Sequence, residues 1–136
     1  MTSLTPAADS VSQAPSQLPA KRMGAMLIGM GALHFAAPKP FDSIVPAELP
    51  GSARFYTLAS GVGEVATGAL LLAPKTRRLG ALAAVALFIA VFPANINSVR
   101  VFWEKGWAAR IGTIARLPLQ FPMIAAALKV YRNAPR

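Results

Sequence analysis

Four runs of mainly apolar residues divide the chain, and each is long enough to form a helix. They cover residues 23–37, 55–73, 79–95 and 111–131. A helix needs ~20 residues to cross the hydrocarbon core of a bilayer, so the three later runs are near membrane length and the first is short. Only five residues separate the second run from the third, which makes these two helices antiparallel neighbours. The pattern predicts an all-α fold, an integral membrane four-helix bundle with short connections.

The segments outside the runs have different compositions. Residues 1–20 are rich in Ser, Pro and Ala and show no apolar period, so we predict a disordered N-terminal tail ahead of a membrane domain at 21–136. The proline-rich connection 38–54 is too apolar for a free loop, and we expect it to cover the mouth of the bundle as a cap. Residues 98–110 mix Trp and Phe with basic side chains, as an interfacial helix or a headgroup loop would.

A carboxylate, Glu64, lies near the middle of the second run. A charge at the centre of a membrane helix costs ~2.5 to 3.5 kcal/mol on insertion scales, so Glu64 needs a proton or a partner. Small and polar residues share its side of the helix, and this stripe should therefore face protein rather than lipid. The stripe consists of Thr57, Ser60, Gly61, Glu64, Thr67 and Gly68.

The last run contains two polar residues that could meet Glu64. If the second and last helices run in the same direction, Glu64 and Gln120 both lie ~13 Å from the start of their runs, with Arg116 one turn away. We therefore predict that Glu64 and Arg116 are neighbours. Pro118 and Pro122 each remove a backbone hydrogen bond, so we also expect a kink or broken turn beside Arg116.

These positions predict a polar pocket in one half of the bundle, beneath the proline-rich connection. Its ligand-binding residues would be His34, Glu64, Asn95, Arg116 and Gln120, with Phe41 near the mouth. Two interpretations stay open. The cluster could be a buried ion pair whose hydrogen-bonded neighbours fix helix register, with His34 a structural histidine. It could instead bind or protonate a ligand, since ionisable groups inside a membrane usually mark a functional site.

Composition excludes several classes of function. The chain has 136 residues, of which 54% are hydrophobic and only 14% charged, against roughly a quarter charged in soluble domains. The net charge of +9 does not indicate nucleic-acid binding, because nearly all charges lie in tails and connections. No cysteine is present, and the single histidine, His34, excludes a bis-histidine haem and a His-rich metal site. The sequence identifies no metal, no catalytic residue and no cofactor.

The distribution of Lys and Arg predicts the orientation. Four crossings place the tail, the turn at 74–78 and the C-terminus on one side, with eight basic residues against five on the other. Because cytoplasmic segments carry the excess of basic residues, both termini are predicted to be cytoplasmic, in a multi-pass protein of the cell membrane.

Several short motifs, taken together, resemble the DoxX-like family of small membrane proteins. The resemblance covers residues 23–131 and implies a four-helix membrane bundle. For some members it also implies redox partners, in thiosulfate:quinone oxidoreduction or in oxidative-stress complexes. The motifs are His34-Phe35 with Pro38 and Phe41, Val45-Pro46, Leu49-Pro50, Ser60-Gly61 with Glu64 and Gly68, Arg77-Arg78, Phe92-Pro93-Ala94-Asn95, and Arg116-Leu117-Pro118-Leu119-Gln120.

Two hypotheses about function follow. In the first, the chain is a non-catalytic subunit or scaffold of a membrane-associated redox or stress-response complex, which docks a membrane or cytoplasmic redox partner. In the second, it is a small-molecule-binding or quinone-binding redox component that uses Glu64, Arg116 and Gln120. No redox centre is encoded, so the second hypothesis needs a borrowed cofactor. Both require the lipid bilayer as a partner, and neither involves nucleic acid.

Overall fold

The computed structural model describes residues 12–136. Helix accounts for 82% of the structure, and the described residues contain no strand, so the predicted all-α fold is confirmed. The structure has five longer α-helices and one short one, α2, which lies between α1 and α3. Residues Pro74–Thr76 and Trp103–Lys105 form single 3₁₀ turns. The α-helices are α1 (Leu18–Ala36), α2 (Pro38–Asp42), α3 (Ala53–Leu72), α4 (Arg77–Ala90), α5 (Phe92–Phe102) and α6 (Trp107–Asn133).

The helix boundaries differ from the predicted ones in two places. Helix α1 begins at Leu18, three residues inside the predicted tail, with Pro19 in its first turn where the missing N–H costs nothing. Residues 1–11, which make up most of that tail, lie outside the described residues. The third predicted run forms two helices, and α5 continues through residues 98–102 of the segment that was assigned to the interface.

Pro93 explains why α4 and α5 are separate helices. It has no backbone N–H, so the carbonyl of Ile89 loses its intrahelical donor and α4 ends at Ala90. Helix α5 begins two residues later with Pro93 in its first turn. The Val91 N–H still donates to the carbonyl oxygen of Leu87 at 3.0 Å, so the chain keeps its general direction.

Three helical segments are long and apolar enough to cross a membrane. They are Ala53–Leu72, Pro74–Lys105 and Trp107–Asn133, and the second of them includes both α4 and α5. Helix α1 has 19 residues but does not qualify. Any membrane-length stretch within α1 includes Lys21 and Arg22, which lower its mean hydropathy.

Helices α1 and α3 are antiparallel and pack through glycines. Gly24 lies opposite Gly68, and Gly31 lies opposite Gly61. A Cβ atom on Gly68 would be 2.6 Å from the Gly24 carbonyl oxygen, and one on Gly31 would be 2.8 Å from that of Gly61. Any larger residue would force the backbones apart. The two glycines on each helix are seven residues apart, so the close approach of the backbones extends over about two helical turns.

The other helices pack side by side around an apolar core. Helix α4 packs against both α3 and α6, and α5 packs against α6. The core contains Leu71, Ala81, Ala84, Phe88 and Ala127, each at most 4% exposed. Helices α1 and α6 make only slight contact with each other. The ring of helices is therefore weakly closed between α1 and α6.

Arg77 joins three helix ends at one end of the molecule. Its side chain is buried and donates to the carbonyl oxygens of Leu71 and Leu72, both at 2.7 Å. These carbonyls terminate α3 and lack intrahelical partners. Arg77 also donates to Gln17 at 3.2 Å, and Gln17 donates to the Asn133 carbonyl oxygen at 2.7 Å. The start of α1 and the end of α6 consequently lie at the same end as the α3–α4 turn.

The glycine contacts lead to a first testable prediction. Gly24→Ala should lower the free energy of unfolding by about 1 to 3 kcal/mol, the usual cost of overpacking. The reason is that the new Cβ would lie 2.9 Å from the Gly68 carbonyl oxygen. Thermal unfolding in detergent, followed by circular dichroism, measures the change.

Gly29→Ala is the matched control on the same helix. A Cβ at Gly29 has no neighbour within 4 Å, and alanine favours helix over glycine by roughly 0.5 to 1 kcal/mol. This variant should unfold at the same temperature as the wild type or higher. Equal losses in both variants would show that close packing of α1 on α3 does not limit stability.

Candidate functional site

An open cleft of about 600 Å³ lies between the helices. All five long helices contribute to its walls, and residues 38–52, here called the cap segment, cover one side of it. Most of the lining is apolar, with a few polar side chains among Leu, Met, Val and Phe. The structure brings every residue of the predicted pocket to this lining, namely His34, Phe41, Glu64, Asn95, Arg116 and Gln120.

His34 is the close partner of Glu64. Its Nδ1 atom lies 3.0 Å from Glu64 Oε2, and both side chains are only 10% exposed. The same Nδ1 is 2.8 Å from the Met30 carbonyl oxygen, one helical turn away. A carbonyl oxygen can only accept, so the Met30 contact is a hydrogen bond in the tautomer that carries its proton on Nδ1. In that tautomer Glu64 Oε2 is buried beside the imidazole without receiving a hydrogen bond.

The predicted pairing of Glu64 with Arg116 is wrong. Arg116 is exposed at the edge of the cleft, and within residues 12–136 the only basic side chain in contact with Glu64 is the His34 imidazole. Packing gives the reason, because α3 lies against α1 and α4 while α6 lies against α4 and α5. Equal depth along two helices does not make their side chains neighbours when the helices do not pack against each other, and here the cleft separates the two residues.

Gln120 closes the end of α4. Its Nε2 atom donates to the Phe88 carbonyl oxygen, and its Oε1 accepts from Asn95 Nδ2 at 3.3 Å. The Phe88 carbonyl lies in the last turn of α4, where helical carbonyls lack partners. Gln120 is 6% exposed and Asn95 8%, so these amides satisfy each other and a helix end. They form a fixed polar wall and offer few free groups to a ligand.

The cap segment is held to the helices at several points. The Phe41 ring stacks on His34 with the ring centres 3.7 Å apart. Asn97 of α5 donates to the Ile44 carbonyl oxygen at 2.9 Å, and the Tyr56 hydroxyl donates to the Pro50 carbonyl. The expectation that this segment packs against the bundle as a cap agrees with these contacts.

Two ion pairs add to this attachment. Arg54 Nε lies 2.9 Å from Asp42 Oδ2, and Arg100 lies 3.2 Å from Glu48. The Thr57 hydroxyl and then the Arg54 guanidinium lower the pKa of Asp42. A backbone N–H of its own residue and then Arg100 lower the pKa of Glu48. Solvent-facing pairs of this kind contribute little stability, and their main effect is to fix the position of the cap segment.

The prolines of α6 do not break the helix. Helix α6 runs without interruption from Trp107 to Asn133 with Pro118 and Pro122 inside it, so the expected broken turn is absent. The two prolines leave the carbonyls of Ile114 and Pro118 without their intrahelical donors.

Sequence reasoning did not assign Thr57 and Ser60 to the site. Both line the cleft from α3, and the Thr57 side chain is buried beside Asp42. They lie seven and four residues before Glu64, so all three oxygens face the same way. The polar stripe of the second run was the signal that could have included them. No cluster of His, Cys, Asp or Glu in the described part of the chain could hold a metal ion.

Comparison with known proteins places this all-helical chain in a family. The model of a domain of unknown function, DUF8561, matches residues 23–131, and the chain belongs to that family. The resemblance to DoxX-like proteins is therefore wrong. Its motifs are short apolar and proline-containing pieces that membrane-type helices share widely. No curated protein and no solved structure matches the chain.

A double-mutant cycle tests the partner of Glu64. We expect His34→Gln and Glu64→Gln to show a coupling energy of roughly 0.5 to 3 kcal/mol in unfolding experiments, as residues in contact do. The matched cycle of Arg116→Gln with Glu64→Gln should be additive within about 0.5 kcal/mol. Strong coupling to Arg116 together with additivity at His34 would contradict the observed arrangement.

Proposed function

We propose that this chain is an integral membrane protein. The supporting observation is that its polarity is reversed relative to a soluble domain, with polar side chains buried and large apolar side chains on the outside. The buried polar set includes His34, Glu64, Arg77, Asn95, Asn97 and Gln120. The exposed apolar set includes Leu33, Phe35, Phe55, Val62, Leu79, Ile89, Trp107, Ile111 and Phe121. Such a surface would associate in water, whereas lipid solvates it.

Helix α1 is proposed as a fourth crossing, beside the three segments that qualify by length and hydropathy. It lies against α3 at both glycine pairs, so it extends as deep as α3 does. The contact between Gln17 and Asn133 places the start of α1 and the end of α6 at one end, which requires an even number of crossings. That end carries eight basic residues and, in the described part of the chain, no acidic one. It is accordingly proposed to be cytoplasmic.

Reporter fusions test this topology. Fusions before Leu18 and after Arg136 should both report the cytoplasm, and a fusion within the cap segment should report the opposite side. Reporters at the two ends of the chain on opposite sides would mean that α1 does not cross. The model of four crossings would then fail.

We further propose that the cleft is a binding site for a small molecule. The carrying observation is an open cleft of about 600 Å³ in which a carboxylate oxygen is buried with no donor. Ligand sites are typically clefts of roughly this size with a few oriented polar groups in an apolar lining. A buried acceptor without a donor is costly in an apolar surrounding, and a structural role alone does not require an open space beside it. No catalytic residue is proposed.

The other hypothesis, a non-catalytic scaffold, remains a prediction with less support. It took its redox and stress partners from the DoxX resemblance, which the match to DUF8561 replaces. The basic end of the molecule is the surface that such a scaffold would offer to a cytoplasmic protein.

Filling the cleft tests the binding proposal. Ala94 lines the cleft from α5, whereas Ala86 on α4 is exposed and does not line it. Ala94→Trp should reduce the amount of small molecule that co-purifies with the protein several-fold. Ala86→Trp should leave that amount unchanged. Solvent extraction of the purified proteins, followed by mass spectrometry, gives the comparison. Identical extracts from the wild type and both variants, at equal protein stability, would favour the scaffold hypothesis.

A further inference from the structure

Helices α1 and α6 both line the cleft and leave a gap between them. These helices meet at the basic end but make only slight contact elsewhere. Cleft-lining residues on both sides of this gap are exposed, with Met26 at 45% and Met30 at 39% on α1 and Leu119 at 55% on α6. In a membrane-embedded protein this gap faces the acyl chains. Methionine and leucine are suited to contact with a flexible apolar chain.

The polar groups left free inside the cleft are mainly acceptors. The side-chain amides of Asn95 and Gln120 are engaged in the wall, and His34 Nδ1 lies against the Met30 carbonyl oxygen. On the α3 side the Glu64 carboxylate lines the cleft, and its Oε2 atom is buried without a hydrogen-bond partner. A ligand that donates one hydrogen bond would satisfy Glu64, and a buried acceptor without a donor is otherwise costly.

The charges around Glu64 favour a neutral donor over a cation. His34 of α1 is in contact with the carboxylate, and the Arg116 guanidinium of α6 lines the same cleft. From α3 itself Tyr56 adds a phenol, while α4, α5 and the cap segment contribute no ionisable side chain to the lining. A cationic head would meet the field of Arg116 and any charge on His34. An anionic head would be repelled by Glu64.

We propose that the ligand is a neutral lipophilic alcohol that enters from the bilayer between α1 and α6. Its hydroxyl donates to the carboxylate of Glu64, which lines the cleft, and its apolar chain lies along the methionine side. This inference rests on the proposed binding function and names the chemical class of the ligand. Entry through the lipid fits the position of the gap, because a molecule of this class partitions into the bilayer before it meets the protein.

Three probes that share one chain and differ in head group test the proposal. Radiolabelled dodecanol, dodecylamine and dodecanoate are titrated against the protein in phosphatidylcholine nanodiscs, and the signal from empty nanodiscs is subtracted. We expect saturable binding of dodecanol that is at least several-fold tighter than binding of either charged probe. Tighter binding of the amine would indicate a cation site at Glu64, and tighter binding of the carboxylate an anion site at Arg116. Either result would overturn the proposal.

Two variants of Glu64 provide the residue-level test. Glu64→Met has a similar length and removes the acceptor, so it should weaken dodecanol binding by about tenfold or more, in line with the loss of a hydrogen bond to a charged group. Glu64→Gln keeps a carbonyl acceptor and should bind within a few-fold of the wild type. Equal binding by both variants and the wild type would mean that Glu64 does not hold the hydroxyl.

Failure of this inference can be told apart from failure of the binding function. If dodecanol does not bind but Ala94→Trp still loses a co-purifying molecule, the cleft binds a ligand of another class and only the alcohol proposal is wrong. If Ala94→Trp, Glu64→Met and the wild type all bind dodecanol equally, the signal is partitioning at the surface of the protein. That outcome overturns the proposal as well.

Discussion

The close approach of α1 to α3 determines where the buried polar side chains of both helices lie. Four glycines let the two backbones touch, and this contact places His34 against Glu64 on the neighbouring helix. In the lipid environment proposed for this chain there is no hydrophobic force to hold helices together, so backbone proximity and buried polar contacts would have to do so. If the helices moved apart by the width of a methyl group, the imidazole would leave the carboxylate. The glycine packing therefore sets the contact between His34 and Glu64 in the cleft.

A second constraint keeps the cleft from collapsing. Pro93 ends α4, so carbonyl groups in the last turn of α4 lack helical donors. Gln120 from α6 donates a hydrogen bond to one of them, the Phe88 carbonyl. Asn95, two residues after the proline, completes this contact by donating to Gln120. The interruption of α4 would be costly without these amides, because the freed carbonyl would lie in an apolar interior. The same amides hold α5 and α6 at a fixed separation and form a polar wall of the cleft. The methionines of α1, whose flexible side chains can adapt to an apolar ligand, lie on the other side.

The sequence predicted the elements better than the contacts between them. Apolar runs, the glycine positions and the polar stripe of α3 follow from periodicity, which determines the face of a helix on which a residue lies. Periodicity does not say which helix lies opposite that face. For this reason the sequence pattern predicts Arg116 as the partner of Glu64, whereas the contact is with His34. Arg77 was missed for a related reason. A basic residue in a short turn normally faces lipid headgroups, whereas this one is buried and bonds both to the nearby end of α3 and to Gln17, which is distant in sequence.

Buried polar groups in this molecule fall into two kinds, and the difference bears on function. Arg77 and Gln120 have their hydrogen bonds satisfied by helix ends, so their burial is explained by the fold. Glu64 is different, because one of its oxygens is buried with no donor although a neighbouring imidazole lies 3.0 Å away. Methionine at this position would keep the packing and remove the desolvation cost, so stability alone gives no reason for a carboxylate. A role in binding does give a reason for the carboxylate. A ligand that supplies the missing hydrogen bond would remove the free-energy cost of leaving this acceptor without a donor, and its binding would be tighter by that amount.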